Sequence, residues 1–81
     1  MRLDKYLNLS RVIKRRTVAN EACDNGHISV NGKVAKASYD LKEGDVVEVT
    51  FGERCVKFRV LHIIEHVAKS DAAAMYEIID Q

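Results

Sequence analysis

The stretch RVIKRRTVANEACDNGHISVNG, residues 11–32, runs from a group of cations through a helical pattern and into a hairpin turn. Small apolar side chains recur at helical spacing in residues 15–24, which predicts a short helix that can lie close against a neighbour. This stripe consists of Val18, Ala19, Ala22 and Cys23. Gly26 follows it and is expected to end the helix, because glycine adopts the left-handed cap conformation at little cost.

The hairpin is predicted by Asn31 and Gly32, a pair that favours a type I′ turn. Before the turn, Ile28 and Val30 lie on either side of a polar residue, which is the alternation typical of a half-buried strand. A helix followed directly by a β-hairpin is therefore expected in this part of the chain.

The segments on either side repeat these two kinds of pattern. Residues 2–8 predict another helix, because Leu3 and Leu7 share one face at a spacing of four. Residues 46–51 predict a strand, and the turn at Gly52–Glu53 leads into a second alternating run. The sequence thus predicts two helices and two hairpins.

The C-terminal part carries a less distinct pattern. Apolar residues at helical spacing predict a short C-terminal helix; they are Ala72, Met75, Tyr76 and Ile79. The run YEII, residues 76–79, is also compatible with a strand.

Length and composition limit the kind of protein this is. A chain of 81 residues is enough for one domain. No apolar run approaches the roughly 20 residues that cross a bilayer, and no signal peptide is visible, so we expect a cytoplasmic protein without membrane contact. Cys23 and Cys55 are far apart and are predicted to be reduced thiols, with a disulfide between them as the alternative.

The net charge of +1 is divided unevenly along the chain. Residues 1–42 contain nine Lys or Arg and four Asp or Glu, a net +5, whereas residues 43–81 contain four and eight, a net −4. Such a division predicts one face that binds a polyanion and another that does not.

Four of the cations fall within six positions before the second helix: Arg11, Lys14, Arg15 and Arg16. Cations at a helix start oppose the helix dipole, and so do Glu21 and Asp24 towards the end of this helix. A phosphate that accepts hydrogen bonds from the arginines and the helix start together would offset both effects. We therefore predict contact with nucleic acid; the alternative is an ordinary solvated run of charge.

Further cations can extend this face. Arg2 and Lys5 are three residues apart on the first helix, and Lys33 and Lys36 follow the Asn-Gly turn. If the hairpin folds back on the helix pair, the two lysines join the same surface; otherwise they are ordinary surface residues. The interpretation requires that these cations lie on one surface and are not taken up by internal ion pairs.

The remaining side chains predict no catalytic residues, no metal site and no cofactor. His62 and His66 are four apart but have no third ligand nearby, and no P-loop or Ser/His/Asp set is present. Among the aromatic residues, Phe51 and Phe58 are assigned to the core, which leaves Tyr6 and Tyr39 as candidates for stacking on RNA; those two are few for a single-strand binder.

Two quoted segments, RLDKYL and KRRTVANEACDNGHISVNGKVAKASYDLKEGDVVEV, resemble the alpha-L RNA-binding motif, an S4-like domain. The shared pattern is R-L-D, a basic turn before a second helix, G-x-I-x-V-N-G and a later G-D. The resemblance implies an α+β fold with two N-terminal helices packed on a small, strongly bent, mostly antiparallel sheet. It also implies a single RNA-binding domain over residues 1–81, with a core motif at about 2–50 and a hairpin and C-terminal extension at 51–81. The RNA contacts it implies are Arg2, Lys5, Arg11, Lys14, Arg15, Arg16, Lys33 and Lys36.

The full chain is similar to stand-alone members of this family in bacterial ribosome-associated quality control. This implies a non-enzymatic monomer that binds 23S rRNA and peptidyl-tRNA on an obstructed large ribosomal subunit. There it would help a larger tRNA-binding factor to add a C-terminal alanine tail to the stalled chain.

Two alternatives stay open. One is a heat-shock-type factor that recycles blocked large subunits, although that relative carries a longer, basic C-terminal extension. The other is a docking module in which the acidic, β-rich half recruits a protein partner through Glu43, Asp45, Glu48 and Glu53.

Overall fold

The computed structural model describes residues 1–64 and 69–80 and contains two α-helices, one 3₁₀ helix and five strands within them. In chain order the elements are α1 (Leu3–Leu9), α2 (Arg16–Asp24), β1 (Ile28–Val30), β2 (Lys33–Val34), β3 (Val46–Phe51), β4 (Arg54–Val60), the 3₁₀ helix (Lys69–Met75) and β5 (Tyr76–Asp80). The two helices and both hairpins lie where the sequence predicts them.

The strands form one antiparallel sheet in the order β2-β1-β3-β4-β5. The turn between β1 and β2 has positive φ at Asn31 (52°) and Gly32 (85°), as a type I′ turn requires. Gly26 also has a positive φ, 83°, directly after the end of α2. The hairpin turn predicted at Asn31 and Gly32 and the helix end predicted at Gly26 are therefore both confirmed.

The core lies where the helices cover one face of the sheet. Leu3, Tyr6 and Leu7 of α1 are fully buried, as are Val47 and Phe58 on adjacent strands. From α2 the small side chains of Ala19, Ala22 and Cys23 enter the same core. Val18 was expected in that stripe, but it is exposed, because it lies at the edge of the face that α2 presents to the sheet.

The predicted C-terminal helix is confirmed only in its first part. A 3₁₀ helix ends at Met75, and Tyr76 and Ile79 belong to β5, which pairs with β4. The strand reading of YEII is therefore the right one for these residues. Pairing with β4 decides this, since it satisfies the backbone groups of the last strand in a way that the local pattern does not show.

Two aromatic assignments made from the sequence are wrong. Phe51 is 41% exposed and stacks on His27, with ring centroids 5.4 Å apart, because it lies at the open end of β3. Tyr6 is fully buried and donates its hydroxyl hydrogen bond to the carbonyl of Met75, so it cannot stack on RNA. Phe58 lies in the core as predicted.

The two helices packed on an antiparallel sheet confirm the predicted α+β class. Cys23 is buried in α2 and Cys55 is exposed on β4, and the two are not joined by a disulfide. Across residues 1–64 and 69–80, no helix has both the length and the apolar character needed to cross a membrane.

Candidate nucleic-acid interface

A buried carboxylate, that of Asp4, joins the first turn of α1 to the first turn of α2. Its side chain is only 3% exposed. Arg2 donates from Nε to Oδ1 at 3.1 Å and from Nη2 to Oδ2 at 3.4 Å. Arg16 approaches from α2 and places its Nε 3.7 Å from Oδ2. A buried carboxylate needs such partners, and here it holds two guanidinium groups side by side.

Two further donors complete the surroundings of Asp4. Asn20 donates from Nδ2 to Oδ2 at 3.1 Å, and the backbone N–H of Lys5 donates to Oδ1 at 2.8 Å. Asn20 follows Arg16 by four residues and therefore lies on the same face of α2. Burial raises the pKa of Asp4, but the hydrogen bonds from Arg2 and Asn20 and the charge of Arg2 outweigh it, so the pKa lies below its ordinary value. The carboxylate is thus charged at neutral pH.

The arrangement differs from the sequence expectation in one respect. Arg2 and Arg16 come together as predicted, but both pair with an internal acid, which the prediction excluded. Two guanidinium groups share one carboxylate, so the cluster keeps a net positive charge, and each arginine side chain remains 50% exposed. The internal pairing therefore positions the arginines without neutralising them. A shallow cleft of about 440 Å³ opens at this point, lined also by Thr17.

The start of α2 keeps the unfavourable charge pattern seen in the sequence. Arg15 occupies the N-cap position, no side chain caps the helix, and its first turn contains no acid. The start of α1 is different, because the loop carbonyls of Tyr39 and Ala37 accept from the N–H groups of Leu3 and Asp4 at 2.9 and 3.2 Å. Of the two α-helices that the structure describes, α2 is the one whose start combines uncapped N–H groups with arginine side chains.

Arg11 and Lys14 lie on the loop that joins the helices and are exposed. Arg11 has a φ of 67°, a left-handed conformation that is uncommon for a residue with a side chain. Asn8 holds this loop, since its Nδ2 donates to the carbonyls of Lys14 at 2.9 Å and Ile13 at 3.4 Å. Among the bonds of the described residues, none ties Arg11 or Lys14 to the Asp4 cluster.

The two lysines after the Asn-Gly turn line a different cleft. Lys33 and Lys36 are exposed and border a space of about 630 Å³ together with Tyr39. The loop that contains Tyr39 lies against the start of α1, through the Leu3–Tyr39 hydrogen bond and a backbone bridge between Arg2 and Asp40. The loop after the hairpin thus reaches the start of α1, while Lys33 and Lys36 line a cleft separate from that of Arg2 and Arg16. Lys5 is half-buried on α1.

Sequence reasoning did not identify Asp4, Asn20 or Asn8 as parts of the site. For Asp4, the position two residues after Arg2 was a usable signal. The spacing of four between Arg16 and Asn20 was another such signal. For Asn8 no local pattern was available, because its role depends on where the loop passes.

Within the described ranges, no group of three or more His, Cys, Asp or Glu side chains could hold a metal ion. Of the histidine pair considered in the sequence, His66 lies outside the described residues.

Comparison with known proteins gives a consistent result. The sequence profile described as the S4 domain matches residues 1–47. A protein of Streptococcus pneumoniae named RQC P-site tRNA stabilizing factor is 56% identical over 81 residues, which cover 100% of this chain and 92% of that protein. Its namesake in Bacillus subtilis is 49% identical, covering 100% of this chain and 94% of that protein.

A solved structure extends the likeness to the fold. Heat shock protein 15 of Vibrio cholerae, described as trimeric, superposes with a TM-score of 0.88 at 25% identity, covering 98% of this chain and 81% of that one. The family profile, the full-length relatives and the shared fold agree with each other. The chain therefore belongs to the S4 domain family, within the group of RQC P-site tRNA stabilizing factors.

Proposed function

We propose that this protein is a non-enzymatic RNA-binding factor of ribosome-associated quality control. It binds 23S rRNA and peptidyl-tRNA on obstructed large ribosomal subunits and stabilises the tRNA there. In doing so it assists a larger tRNA-binding factor that adds a C-terminal alanine tail to the stalled chain. The names of its relatives support the setting, and the cluster of Arg2, Asp4 and Arg16 supports the mode of binding.

The cluster suits a phosphate backbone for three physical reasons. Guanidinium groups bind phosphate oxygens through paired, charge-assisted hydrogen bonds. Asp4 restricts both arginines before RNA arrives, so less side-chain entropy is lost on binding. The cleft is shallow, so it suits a backbone that passes across the surface more than a small enclosed substrate. Exposed Arg11, Lys14 and Arg15 supply further phosphate contacts in this proposal.

The acidic half supports the docking alternative less well. Asp45 accepts hydrogen bonds from Asn31 Nδ2 at 3.1 Å and from the backbone N–H of Lys42 at 3.0 Å. Glu43 accepts from the N–H of Ile63 at 3.2 Å, and Glu48 lies opposite a lysine in the β3–β4 register. Asp45 and Glu43 therefore hold turns of the chain. A heat-shock-type recycling factor is the second candidate, because the solved structure of heat shock protein 15 shares the whole fold.

Co-sedimentation tests this proposal. Purified large subunits that carry peptidyl-tRNA, empty large subunits and empty small subunits are each mixed with the wild type, Arg16→Ala or Arg54→Ala. Arg54 is exposed at the far hairpin, so its variant removes the same charge outside the cluster.

We expect the wild type and Arg54→Ala to pellet with obstructed large subunits, and Arg16→Ala to pellet less. Equal or better binding to empty small subunits, or full binding by Arg16→Ala, would contradict the proposal.

A further inference from the structure

The cleft beside β2 has an unusual composition for an exposed surface. It is lined by Val34, Tyr39 and two lysines, and its volume is about 630 Å³. Val34 is 63% exposed, the highest value for a large apolar side chain in residues 1–64 and 71–79, and Tyr39 is 38% exposed. A cleft of this volume is in the range that takes a nucleotide-sized ligand.

The charges at its rim are uncompensated. Among the described residues, the side-chain ammonium groups of Lys33 and Lys36 make no hydrogen bond or ion pair. None of the described residues that line the cleft carries a carboxylate. The cleft therefore combines an aromatic and aliphatic wall with two free positive charges, a combination that matches a base attached to a phosphate.

The wall is held in place by the backbone. The N–H of Tyr39 donates to the carbonyl of Lys36 at 3.0 Å, which closes a tight turn between them. The carbonyl of Tyr39 accepts from the N–H of Leu3 at 2.9 Å, and Leu3 follows Arg2 directly. The cleft is thus fixed relative to the start of α1.

We propose that this cleft takes one unpaired nucleotide of the bound RNA, with its base against Tyr39 and Val34 and its phosphate between Lys33 and Lys36. The proposal rests on the proposed function and adds to it a preference for structured RNA with a base outside the stack. Stacking on an aromatic ring accepts any of the four bases, so the preference concerns an unpaired base and not a particular sequence.

A single-tryptophan variant tests the proposal directly, because the chain contains no tryptophan. Tyr39→Trp is titrated with an RNA hairpin that carries one unpaired nucleotide in its stem, and with the same hairpin fully paired. Ile78→Trp is the matched control: Ile78 is 42% exposed but lies on β5, at the opposite edge of the sheet from β2.

We expect the hairpin with the unpaired nucleotide to quench the emission of Tyr39→Trp, and the paired hairpin to leave it nearly unchanged. Ile78→Trp should respond to neither. Tyr39→Ala should lose about tenfold in affinity for the hairpin with the unpaired nucleotide and little for the paired one.

Arg16→Ala separates this proposal from the proposed function. If both hairpins bind in a manner that Arg16→Ala weakens, but Tyr39→Trp reports no quenching and Tyr39→Ala binds normally, the cleft proposal is wrong and the proposed function stands. A protein partner would then be the remaining candidate occupant of the cleft. If the wild type binds neither hairpin, the cleft proposal fails, and the proposed function is decided separately by co-sedimentation with obstructed large subunits.

Discussion

Arg16 on α2 reaches Asp4 on α1, with its Nε 3.7 Å from the carboxylate Oδ2. This contact connects the two helices at the point where the cationic surface begins. It also makes the position of an exposed arginine depend on a buried acid. Because the acid serves Arg2 as well, one side chain organises both cations, and changes at Asp4 should affect stability and RNA binding together.

The first prediction concerns that acid. Asp4→Asn keeps the size of the side chain but places an N–H₂ group among the donors of Arg2 and Asn20. We expect the free energy of unfolding to fall by about 1–3 kcal/mol, measured by urea denaturation at pH 7. Glu53→Gln, an exposed site on the β3–β4 turn, serves as the control and should unfold like the wild type.

The wild type and Asp4→Asn also give a pH test. The pKa of Asp4 is lowered in the folded protein. Its charge therefore contributes its full stabilisation at pH values above the ordinary pKa, which is near 3.8. That stabilisation is lost as the pH falls through the lower pKa that Asp4 has in the folded protein. The difference in unfolding free energy between wild type and Asp4→Asn should therefore be largest near neutral pH and shrink below about pH 4. A difference that stays constant down to pH 2 would show that the charge of Asp4 is not involved.

The second prediction concerns the core. Leu7→Ala removes a fully buried side chain from the contact between α1 and the sheet. We expect a loss of about 2–5 kcal/mol in the free energy of unfolding by urea titration. RNA affinity of the fraction that remains folded should stay close to that of the wild type, because Leu7 lies inside the molecule. A loss of affinity without a loss of stability would be the opposite of this expectation.

The third prediction concerns the attachment of the C-terminal segment. Tyr6→Phe removes the buried hydrogen bond to the Met75 carbonyl. That carbonyl still accepts from the N–H groups of Leu61 at 2.8 Å and His62 at 3.1 Å, so no buried acceptor is left alone. We therefore expect a modest loss of about 0.5–1.5 kcal/mol in thermal or urea unfolding. Tyr76→Phe, whose ring packs on Phe58, is the control and should change stability less.

The fourth prediction concerns the thiols. Burial raises the pKa of Cys23 to about 12, whereas Cys55 is exposed on β4. A thiol reagent at pH 8 should therefore modify one cysteine in the native protein and two after unfolding, because the thiolate is the reactive form. Cys55→Ser should leave the native protein nearly unreactive; rapid modification of this variant would contradict the burial of Cys23.

The elements with local signals were predictable from the sequence. Asn31 and Gly32 specify their turn through backbone preferences, and the spacing of Leu3 and Leu7 specifies the buried face of α1. Both signals involve residues within one or two turns of each other. They do not depend on the rest of the fold.

The features that were missed depend on distant neighbours. Whether the last residues form a helix or a strand is decided by pairing with β4, and the exposure of Phe51 is decided by where the sheet ends. The role of Asp4 appears only when α2 is placed against α1, since Arg16 and Asn20 are 12 and 16 residues away. The cations could be listed from the sequence, whereas the pairing of Arg2 and Arg16 with Asp4 required the placement of the two helices.

The salt dependence of RNA binding is the most direct test of the cationic surface. With about five phosphates contacted, log K should fall with log salt at a slope of about −4 to −5 for the wild type and for Arg54→Ala. Arg16→Ala should bind more weakly, with a slope shallower by about 1. A flat slope for the wild type, or an Arg16→Ala slope equal to that of Arg54→Ala, would contradict the account.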